Sequence, residues 1–265
     1  MAIITITTDF GLRDGYVGVM KGVIWGINPS VKIVDITHLI PAQSIELGAI
    51  ALQRVLPFFP PGTIHLAVVD PGVGTKRRAM AAKIGQNWYV APDNGLLTRI
   101  INNALNDGEE MFFVDLDQPK YWLPEISHVF HGRDIFAPVA AHLSAGIDLK
   151  DVGTLFNDPV LLSVPEPELS PGKIIGEVIS IDNFGNLATN IFATHFSKYN
   201  QEFVTKIHST IIPDFVETFG DRPSETLVGM IGTQNDFLIA SVNSNAQRKL
   251  NAKIGDKVEI LFGKL

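Results

Sequence analysis

The first 162 residues alternate short β-branched apolar runs with longer segments whose apolar residues recur at helical spacing. The opening run AIITITT predicts a strand, and Val17, Met20, Val23 and Ile27 then share one face of a predicted helix. Strand and helix continue to alternate in this way up to residue 162. Such a pattern predicts a mostly parallel sheet with helices on both faces, so residues 1–162 are expected to form an α/β domain.

The pattern changes after a proline-rich stretch, SVPEPELSPGK, which spans residues 163–173 and predicts a linker. Residues 174–265 contain short β-rich runs separated by turn residues, among them KIIGEVISID and DKVEILF. Runs of this length and spacing are typical of an all-β domain, shaped as a small barrel or sandwich. The sequence therefore predicts an α/β domain followed by a smaller, barrel-like C-terminal all-β domain.

The charge balance argues against a nucleic-acid partner, because 21 Lys and Arg against 28 Asp and Glu give a net charge of −7. Phosphate backbones are bound by clusters of Lys and Arg, and the chain has no long basic run. Cysteine is absent, which excludes disulfides, zinc–thiolate sites and cysteine nucleophiles. The first residues lack the basic start of a signal peptide, and no apolar run approaches the roughly 20 residues of a membrane span. We therefore expect a soluble cytoplasmic protein without a membrane partner.

Two acidic residues directly follow predicted strands. Asp9 comes directly after the first run, AIITITT, and Asp70 comes directly after the run TIHLAVV. In parallel sheets, ligands bind beyond the carboxyl ends of the strands, which is where both carboxylates are expected. Asp9 is open to two interpretations: it caps the next helix, or it accepts hydrogen bonds from both hydroxyls of a ribose diol. Asp14 is the stronger candidate for the helix N-cap, because the helical pattern starts just after it.

The stretch VVDPGVGTKRR, residues 68–78, has the composition of a phosphate-binding loop. Its spacing does not fit, because a Walker loop places four residues between its first glycine and the Gly-Lys-[Ser/Thr]. Two interpretations stay open. Either the segment is a tight Pro-Gly turn with an exposed basic tail, or Asp70 is a catalytic carboxylate that pairs with Arg77 or Arg78.

His131 lies in the stretch HVFHGRDIFAP, just before Gly132 and a predicted helix. A lone histidine is more often structural than catalytic, but the glycine after it would let a ligand approach the backbone closely. Arg133 could form a structural ion pair, and Asp134 could cap the helix.

The stretch DNFGNLATN, residues 182–190, is rich in turn formers and predicts a hairpin or a bulged turn. The alternative is functional, because the Asn186 amide offers a donor and an acceptor that match a purine edge. Phe184 or Phe219 could supply a stacking face for such a ring, although each phenylalanine by itself is more typical of a core.

Five stretches in a fixed order form a specific set: TTDFGLRDGYVGVMKG, VVDPGVGTKRR, APDNGLLT, FHGRDIFAPVAAHL and IDNFGNLATN. Together they resemble the S-adenosylmethionine (SAM) hydroxide adenosyltransferases, adenosine-forming SAM hydrolases that are related to fluorinases and chlorinases. The resemblance implies that water attacks the 5′ carbon of SAM, giving adenosine and L-methionine, with SAM as the substrate, no cofactor and no metal. It places an Asp, an Arg and a His around that water, at Asp70, Arg77 and His131, with Arg78 in reserve for Arg77.

The resemblance also implies binding roles in both predicted domains. Asp9 corresponds to the carboxylate on the ribose diol, Asp182 to the one that meets the methionine ammonium, and Asn186 to the amide that binds adenine. The full candidate binding set is Asp9, Phe130, Gly132, Asp182, Phe184, Asn186, Phe219, Gln234 and Val242. Catalysis would then lie in residues 1–162, and adenine and methionine binding in residues 174–265.

The resemblance further implies a homotrimer whose active site lies between the first domain of one subunit and the second domain of its neighbour. The low share of charged residues, 18%, is compatible with a buried subunit interface. Three other functions stay open: halide transfer to SAM, a metal-dependent hydrolase with Asp9, Asp70, His131 and Asp134 as ligands, and a SAM- or adenosine-binding protein without turnover. Asp70 favours hydrolysis over halide transfer, because the fluorinase has a tyrosine at this position.

Overall fold

The structure of the chain is a computed structural model, which describes residues 2–197, 199 and 202–263. It divides into two compact units, one ending at Ser163 and the other beginning at Val164. Each unit has its own hydrophobic core.

The first unit alternates strands and helices over most of its length. Its described strands are β1 (Ile3–Thr8), β2 (Lys32–Thr37), β3 (Ile64–Val68), β4 (Ala79–Ile84), β5 (Asn87–Pro92), β6 (Met111–Asp115) and β7 (Thr154–Phe156). Its helices are α1 (Tyr16–Ile27), α2 (Ile45–Val55), α3 (Thr98–Asp107) and α4 (Ala137–Ser144). Short 3₁₀ turns cover Leu56–Phe58, Pro119–Tyr121 and Leu149–Asp151, and a π-helical turn at Gly132–Phe136 runs directly into α4.

These strands form one sheet in the order β2-β1-β3-β5-β4-β6-β7. Strands β2, β1, β3, β5 and β6 run in the same direction, and β4 and β7 run against them. The carboxyl ends of the neighbouring strands β1 and β3 therefore meet at one edge, where Asp9 and Asp70 follow them. The predicted α/β class with a mostly parallel sheet is confirmed.

Helices cover both faces of the sheet, because alternate residues of a strand point to opposite sides. On and just after β3, Leu66 and Val68 belong to a core shared with α1 and α4, whereas Ala67 and Val69 belong to a core shared with α2 and α3. Full burial of a side chain such as Leu66 stabilises the fold by about 1.5–3 kcal/mol. The two cores therefore hold the strand ends in a defined position.

The second unit is mainly β-structure. Its described strands are β8 (Glu168–Ser170), β9 (Lys173–Ile181), β10 (Leu187–Phe192), β11 (Phe203–Ile207), β12 (Thr210–Ile212), β13 (Leu227–Ile231), β14 (Asp236–Ser241) and β15 (Lys257–Phe262). Its short helices are α5 (Ala193–Phe196) and α6 (Ala246–Leu250), with a 3₁₀ turn at Phe219–Asp221. The strands pair antiparallel in the order β12-β11-β15-β9-β10-β14-β13, with β8 beside β9. Because β12 and β13 approach each other, the sheet nearly closes into a barrel, as predicted.

The start of α1 differs from the prediction for Asp14. The N-cap is Gly15, which has a left-handed φ of 74°, and no side chain caps the helix. The Asp14 carboxylate instead pairs with Arg13, 3.1 Å away at the surface. A left-handed backbone favours glycine, so the glycine takes the position where the chain turns into the helix.

His65 is a fully buried ionisable residue on β3. Its Nδ1 lies 2.8 Å from the Thr5 hydroxyl, and its ring stacks on Tyr89 at a centroid distance of 5.3 Å. Burial lowers the pKa of His65 to about 4. The ring is therefore neutral in the folded protein at pH values where an exposed histidine would be charged.

This burial predicts a specific loss of stability in acid. The unfolded chain binds a proton at His65 below pH ~6.5, whereas the folded chain stays neutral down to about pH 4, so the free energy of unfolding falls across that window by about 3 kcal/mol. Urea unfolding at several pH values, compared between the wild type and His65→Gln, isolates this contribution. Equal pH dependence in the two proteins would contradict the prediction.

Candidate active site

A cavity of about 380 Å³ opens at the carboxyl ends of β1 and β3. Five residues of the predicted site line it: Asp9, Asp70, Phe130, His131 and Gly132. They come from the segments after the two strands and from the turn that precedes α4. The topology of the sheet thus brings together residues that lie more than 100 positions apart.

Asp70 and Arg77 form a two-pronged ion pair on the loop between β3 and β4. Arg77 Nε donates to Asp70 Oδ1 at 2.9 Å and to Oδ2 at 3.1 Å, and Arg77 Nη2 also donates to Oδ2. The side chain of Asp70 is only 5% exposed, and that of Arg77 is 10% exposed. Gly74 makes the return of the loop possible, because its φ is 76° and a Cβ there would lie 2.4 Å from the His128 carbonyl oxygen.

Arg78 faces a different set of partners, so the structure decides between the two arginines in favour of Arg77. Arg78 donates to Asp93 at 2.8 Å and to the carboxylate of Asp158 at 2.8 Å. Its guanidinium lies 4.2 Å from the centre of the Phe156 ring. These contacts attach the segment after β7 to the sheet.

His131 completes the cluster through Arg77. The distance between Arg77 Nη2 and His131 Nδ1 is 3.0 Å. A guanidinium can only donate, so Nδ1 must be the acceptor and the neutral ring carries its proton on Nε2. Burial and the positive charge of Arg77 lower the pKa of His131, which favours this neutral form.

The turn around His131 is tightly packed. A Cβ on Gly132 would lie 3.2 Å from the Phe10 ring and 3.3 Å from the Phe130 ring, so a side chain at 132 would crowd both rings.

Asp134 is fully buried and accepts hydrogen bonds from Arg133 Nε at 2.5 Å and from the Ser127 amide at 2.8 Å. Asp134 therefore fixes the loop before the helix instead of capping the helix, and Arg133 forms the structural ion pair that was considered for it.

Two further parts of the cavity wall are held by short contacts. Asp9 Oδ2 accepts a hydrogen bond from the Gln43 amide at 2.7 Å, which ties the segment after β1 to the one after β2. The rings of Phe10, Tyr16 and Phe130 pack edge to face, with centroids 5.3–6.1 Å apart. Sequence reasoning missed Phe10 and Tyr16, although both lie within the first stretch of the resemblance.

The remaining candidate residues belong to the second unit, where residues 182–186 form the turn that the sequence suggests. Asp182 Oδ1 accepts from the amides of Phe184 and Asn186 at 2.9 Å, and Asn186 Nδ2 donates to Asp182 Oδ2 at 2.8 Å. Phe184 is 73% exposed and Phe219 is 45% exposed. Neither ring lies in the hydrophobic core, so the core interpretation is wrong for both.

Phe219, Val242 and Gln234 lie in turns or at strand ends of this unit. The turn that presents Phe219 is held by Thr218, whose hydroxyl accepts from the Gly220 amide at 3.0 Å. The Val242 amide donates to the Thr226 carbonyl at 3.0 Å, and its carbonyl accepts from Glu225 at 2.6 Å. Gln234 is half-buried between β13 and β14.

Asp93 and Asn94 are positioning residues to which sequence reasoning assigned no role. Asn94 Nδ2 donates to the Val69 carbonyl at 2.9 Å, just before Asp70, and the Asp93 amide donates to the Arg78 carbonyl at 3.0 Å, just after Arg77. Two adjacent residues thus hold both ends of the loop that brings Asp70 and Arg77 together. Both residues lie in APDNGLLT, one of the five stretches that carry the resemblance, and that stretch could have pointed to them.

Comparison with known proteins identifies the family. The chain matches the SAM hydroxide adenosyltransferase N-terminal domain over residues 4–153 and the corresponding C-terminal domain over residues 176–259. The chain belongs to the SAM hydroxide adenosyltransferase family.

Two named relatives and one solved structure are similar to most or nearly all of this chain. An (R)-S-adenosyl-L-methionine hydrolase of Salinispora arenicola is 41% identical over 98% of each chain. A fluorinase of an Actinoplanes species is 31% identical over 82% of this chain and 80% of its own. The crystal structure of an uncharacterized conserved protein from Thermotoga maritima, 36% identical, superposes with a TM-score of 0.90 over 97% of this chain and 99% of its own.

Across residues 2–197, 199 and 202–263, no group of three or more His, Asp or Glu side chains is arranged to hold a metal ion. None of the helices within these same ranges combines the length and the apolar character needed to span a bilayer.

The contact of Asn94 with the Val69 carbonyl predicts a measurable effect on the loop. Asn94→Ala removes a net contribution of about 1 kcal/mol, so amide exchange in the peptide covering residues 69–78 is expected to become roughly fivefold faster. Hydrogen–deuterium exchange mass spectrometry measures this rate. Asn103→Ala, at an exposed position on α3, is the control and should leave the peptide unchanged.

Proposed function

We propose that this chain hydrolyses SAM: water attacks the 5′ carbon, the carbon–sulfur bond breaks, and adenosine and L-methionine leave. The observation that carries the proposal is the Asp70–Arg77–His131 cluster beside the cavity, in a chain of the SAM hydroxide adenosyltransferase family. Relatives named as SAM hydrolases align over 98% of the chain. SAM is the substrate in this proposal, no cofactor takes part, and the cytoplasm is the site of action.

The reaction needs assistance at the nucleophile and not at the leaving group. Methionine departs as a neutral thioether, which requires neither a general acid nor a metal ion. Water is a weak nucleophile, and a positioned base typically accelerates such a step by about 10²–10⁴. The sulfonium and water together give adenosine, methionine and one proton, so the site must accept that proton.

Asp70 is the base in this proposal. The Nδ1 lone pair of His131 is directed to Arg77, and Nε2 already carries a proton in the neutral tautomer. Neither ring nitrogen is then available to accept the proton of water. The Asp70 carboxylate offers about four acceptor positions and keeps capacity beside its contacts with Arg77.

The other two members of the cluster act on position and charge. Arg77 orients the Asp70 carboxylate through its two-pronged contact. His131 Nε2–H donates to the oxygen of the attacking water, which leaves one lone pair of the water for the 5′ carbon. Because hydroxide-like and sulfonium charges cancel in the transition state, a site shielded from bulk water favours the reaction.

Substrate binding divides between the two units. Asp9 binds the ribose diol, with Phe130 and Gly132 beside the ribose. In the second unit, Asp182 meets the methionine ammonium and Asn186 binds adenine. We propose that the units come from neighbouring subunits of a homotrimer, with the candidate residues Phe184, Phe219, Gln234 and Val242 completing the adenine and methionine side.

Halide transfer to SAM is the second candidate, because a fluorinase is among the relatives at 31% identity. The Asp70 carboxylate disfavours halide transfer. A carboxylate on the path of attack repels an anionic nucleophile, but it accepts a proton from water. Purified protein incubated with SAM and chloride or fluoride should give adenosine without halogenated adenosine.

The protein is also expected to keep full activity in EDTA. Loss of activity in EDTA would favour a metal-dependent hydrolase.

Asp70→Asn is expected to lower kcat by at least about 10², while adenosine still binds. The amide keeps the shape of the carboxylate but cannot take the proton. Chromatography of adenosine formed from SAM gives the rate, and calorimetry gives the affinity for adenosine. Asp151→Asn, at an exposed position in a 3₁₀ turn, is the matched control with normal turnover. Intact SAM at stoichiometric wild-type protein would favour a binding protein, and near-normal turnover of Asp70→Asn would remove Asp70 as the base.

Arg77→Ala and His131→Ala are also expected to lose most turnover, and the state of His131 can be read directly. In the wild type, ¹⁵N NMR should show a protonated Nε2 and an unprotonated Nδ1 at pH 7. Arg77→Ala removes the donor to Nδ1 and should shift both resonances. A protonated Nδ1 in the wild type would contradict the assignment of Asp70 as the base.

A further inference from the structure

A further cavity, which we call the rear cavity, borders the catalytic cluster in the first unit. It measures about 230 Å³ and is lined in part by Arg77, His131, Asp115 and Trp122. His131 borders both cavities, whereas Asp70 lines the front one and Arg77 the rear one. The Asp70–Arg77–His131 cluster is therefore the partition between two spaces.

The rear cavity suits water. A water held in such a space needs two to four polar partners, and Arg77 and His131 supply polar groups at its wall. Asp115 adds a carboxyl group whose pKa is raised by burial and by the neighbouring Asp117. At roughly 30 Å³ per molecule, the volume holds several waters. The exposed residue Thr75 also lines the rear cavity, which indicates that it reaches the surface.

An anion is a weaker candidate for the same space, although the side chains of Lys76, Arg77 and Arg78 lie along it. Arg77 is paired with Asp70, and Arg78 is paired with Asp93 and Asp158. The Asp115 carboxyl also lines the cavity and would oppose a bound anion when ionised. A neutral ligand that both donates and accepts hydrogen bonds fits this mixed lining better.

The geometry of displacement gives a second access a role. The nucleophile attacks the 5′ carbon from the side opposite the sulfur, and the bound substrate occupies the cavity in front of Asp70 and His131. Each turnover consumes one water, and while substrate covers the front cavity, water can reach the cluster only from the side that the substrate leaves open.

On the basis of the SAM hydrolysis proposed above, we propose that the rear cavity is the water supply of the site. Water passes from it to the position beside Asp70 and His131, and its oxygen bonds to the 5′ carbon as the carbon–sulfur bond breaks. The electron pair of that bond stays on sulfur, and one proton of the water goes to Asp70. The next water that moves in from the rear cavity takes this proton from Asp70 and passes it to the solvent, which restores the Asp70 carboxylate.

The test narrows or dries the rear cavity from two separate walls, at residues outside the catalytic cluster. Asp115→Leu replaces a carboxyl on β6 by an apolar side chain, and Ala79→Leu adds volume from β4. Asp115→Asn and Ala79→Ser keep the size and polarity and serve as matched controls. Adenosine affinity and thermal melting establish that each variant is folded and binds normally.

The two leucine variants are expected to lower kcat by about tenfold or more, with KM and adenosine affinity unchanged and both controls near the wild type. The ¹⁵N resonances of His131 should stay at their wild-type positions, because the catalytic cluster is intact. A wild-type kcat in both folded leucine variants would contradict the proposal that the rear cavity supplies water. A loss of kcat that comes with shifted His131 resonances would contradict it too. If the wild type itself forms no adenosine, the proposed function fails instead, which keeps the two failures distinguishable.

Discussion

The ion pair between Asp70 and Arg77 is the contact on which the site depends. Both side chains are nearly buried. Removing one partner of a buried ion pair generally lowers the free energy of unfolding by about 3–5 kcal/mol, because the other charge is left unpaired. The pair closes the loop, and it directs the remaining donor of Arg77 to Nδ1 of His131. A single guanidinium thus sets the orientation of a carboxylate and the tautomer of an imidazole.

The order of the strands explains how this pair is held. β5 lies between β3 and β4, so its carboxyl end is next to the last residue before the loop and the first residue after it. Asp93 and Asn94 follow β5 and reach both points, Arg78 on one side and Val69 on the other. A loop with both ends fixed loses little further entropy when it binds a ligand, which favours a preformed site.

The second unit presents its candidate residues in a different manner. Phe184 and Phe219 are exposed on turns that are held by their own side-chain hydrogen bonds, through Asp182 in one case and Thr218 in the other. An exposed aromatic ring on a rigid turn supplies contact area at a low cost in conformational entropy. In the proposed function, these rings would meet the flat face of a purine, and the charged cluster of the first unit would carry out the chemistry.

The sequence by itself determined the fold class and the family. Hydrophobic periodicity encodes which face of a strand or helix is buried, and the ordered motifs are specific enough to identify relatives. It could not decide between Arg77 and Arg78, because neighbouring side chains at the start of a strand point to opposite sides. It also could not show that Asp134 fixes a loop or that the side chain of Asp14 leaves the helix uncapped.

Only the tertiary structure decided which groups meet. Arg77 and His131 are separated by 54 positions, and their contact depends on the order of strands and on the turn before α4. The tautomer of His131, the hold of Asn94 on Val69 and the rear cavity all follow from such contacts. Local patterns report burial along one element, but a hydrogen bond between distant elements is set by the packing of the whole sheet.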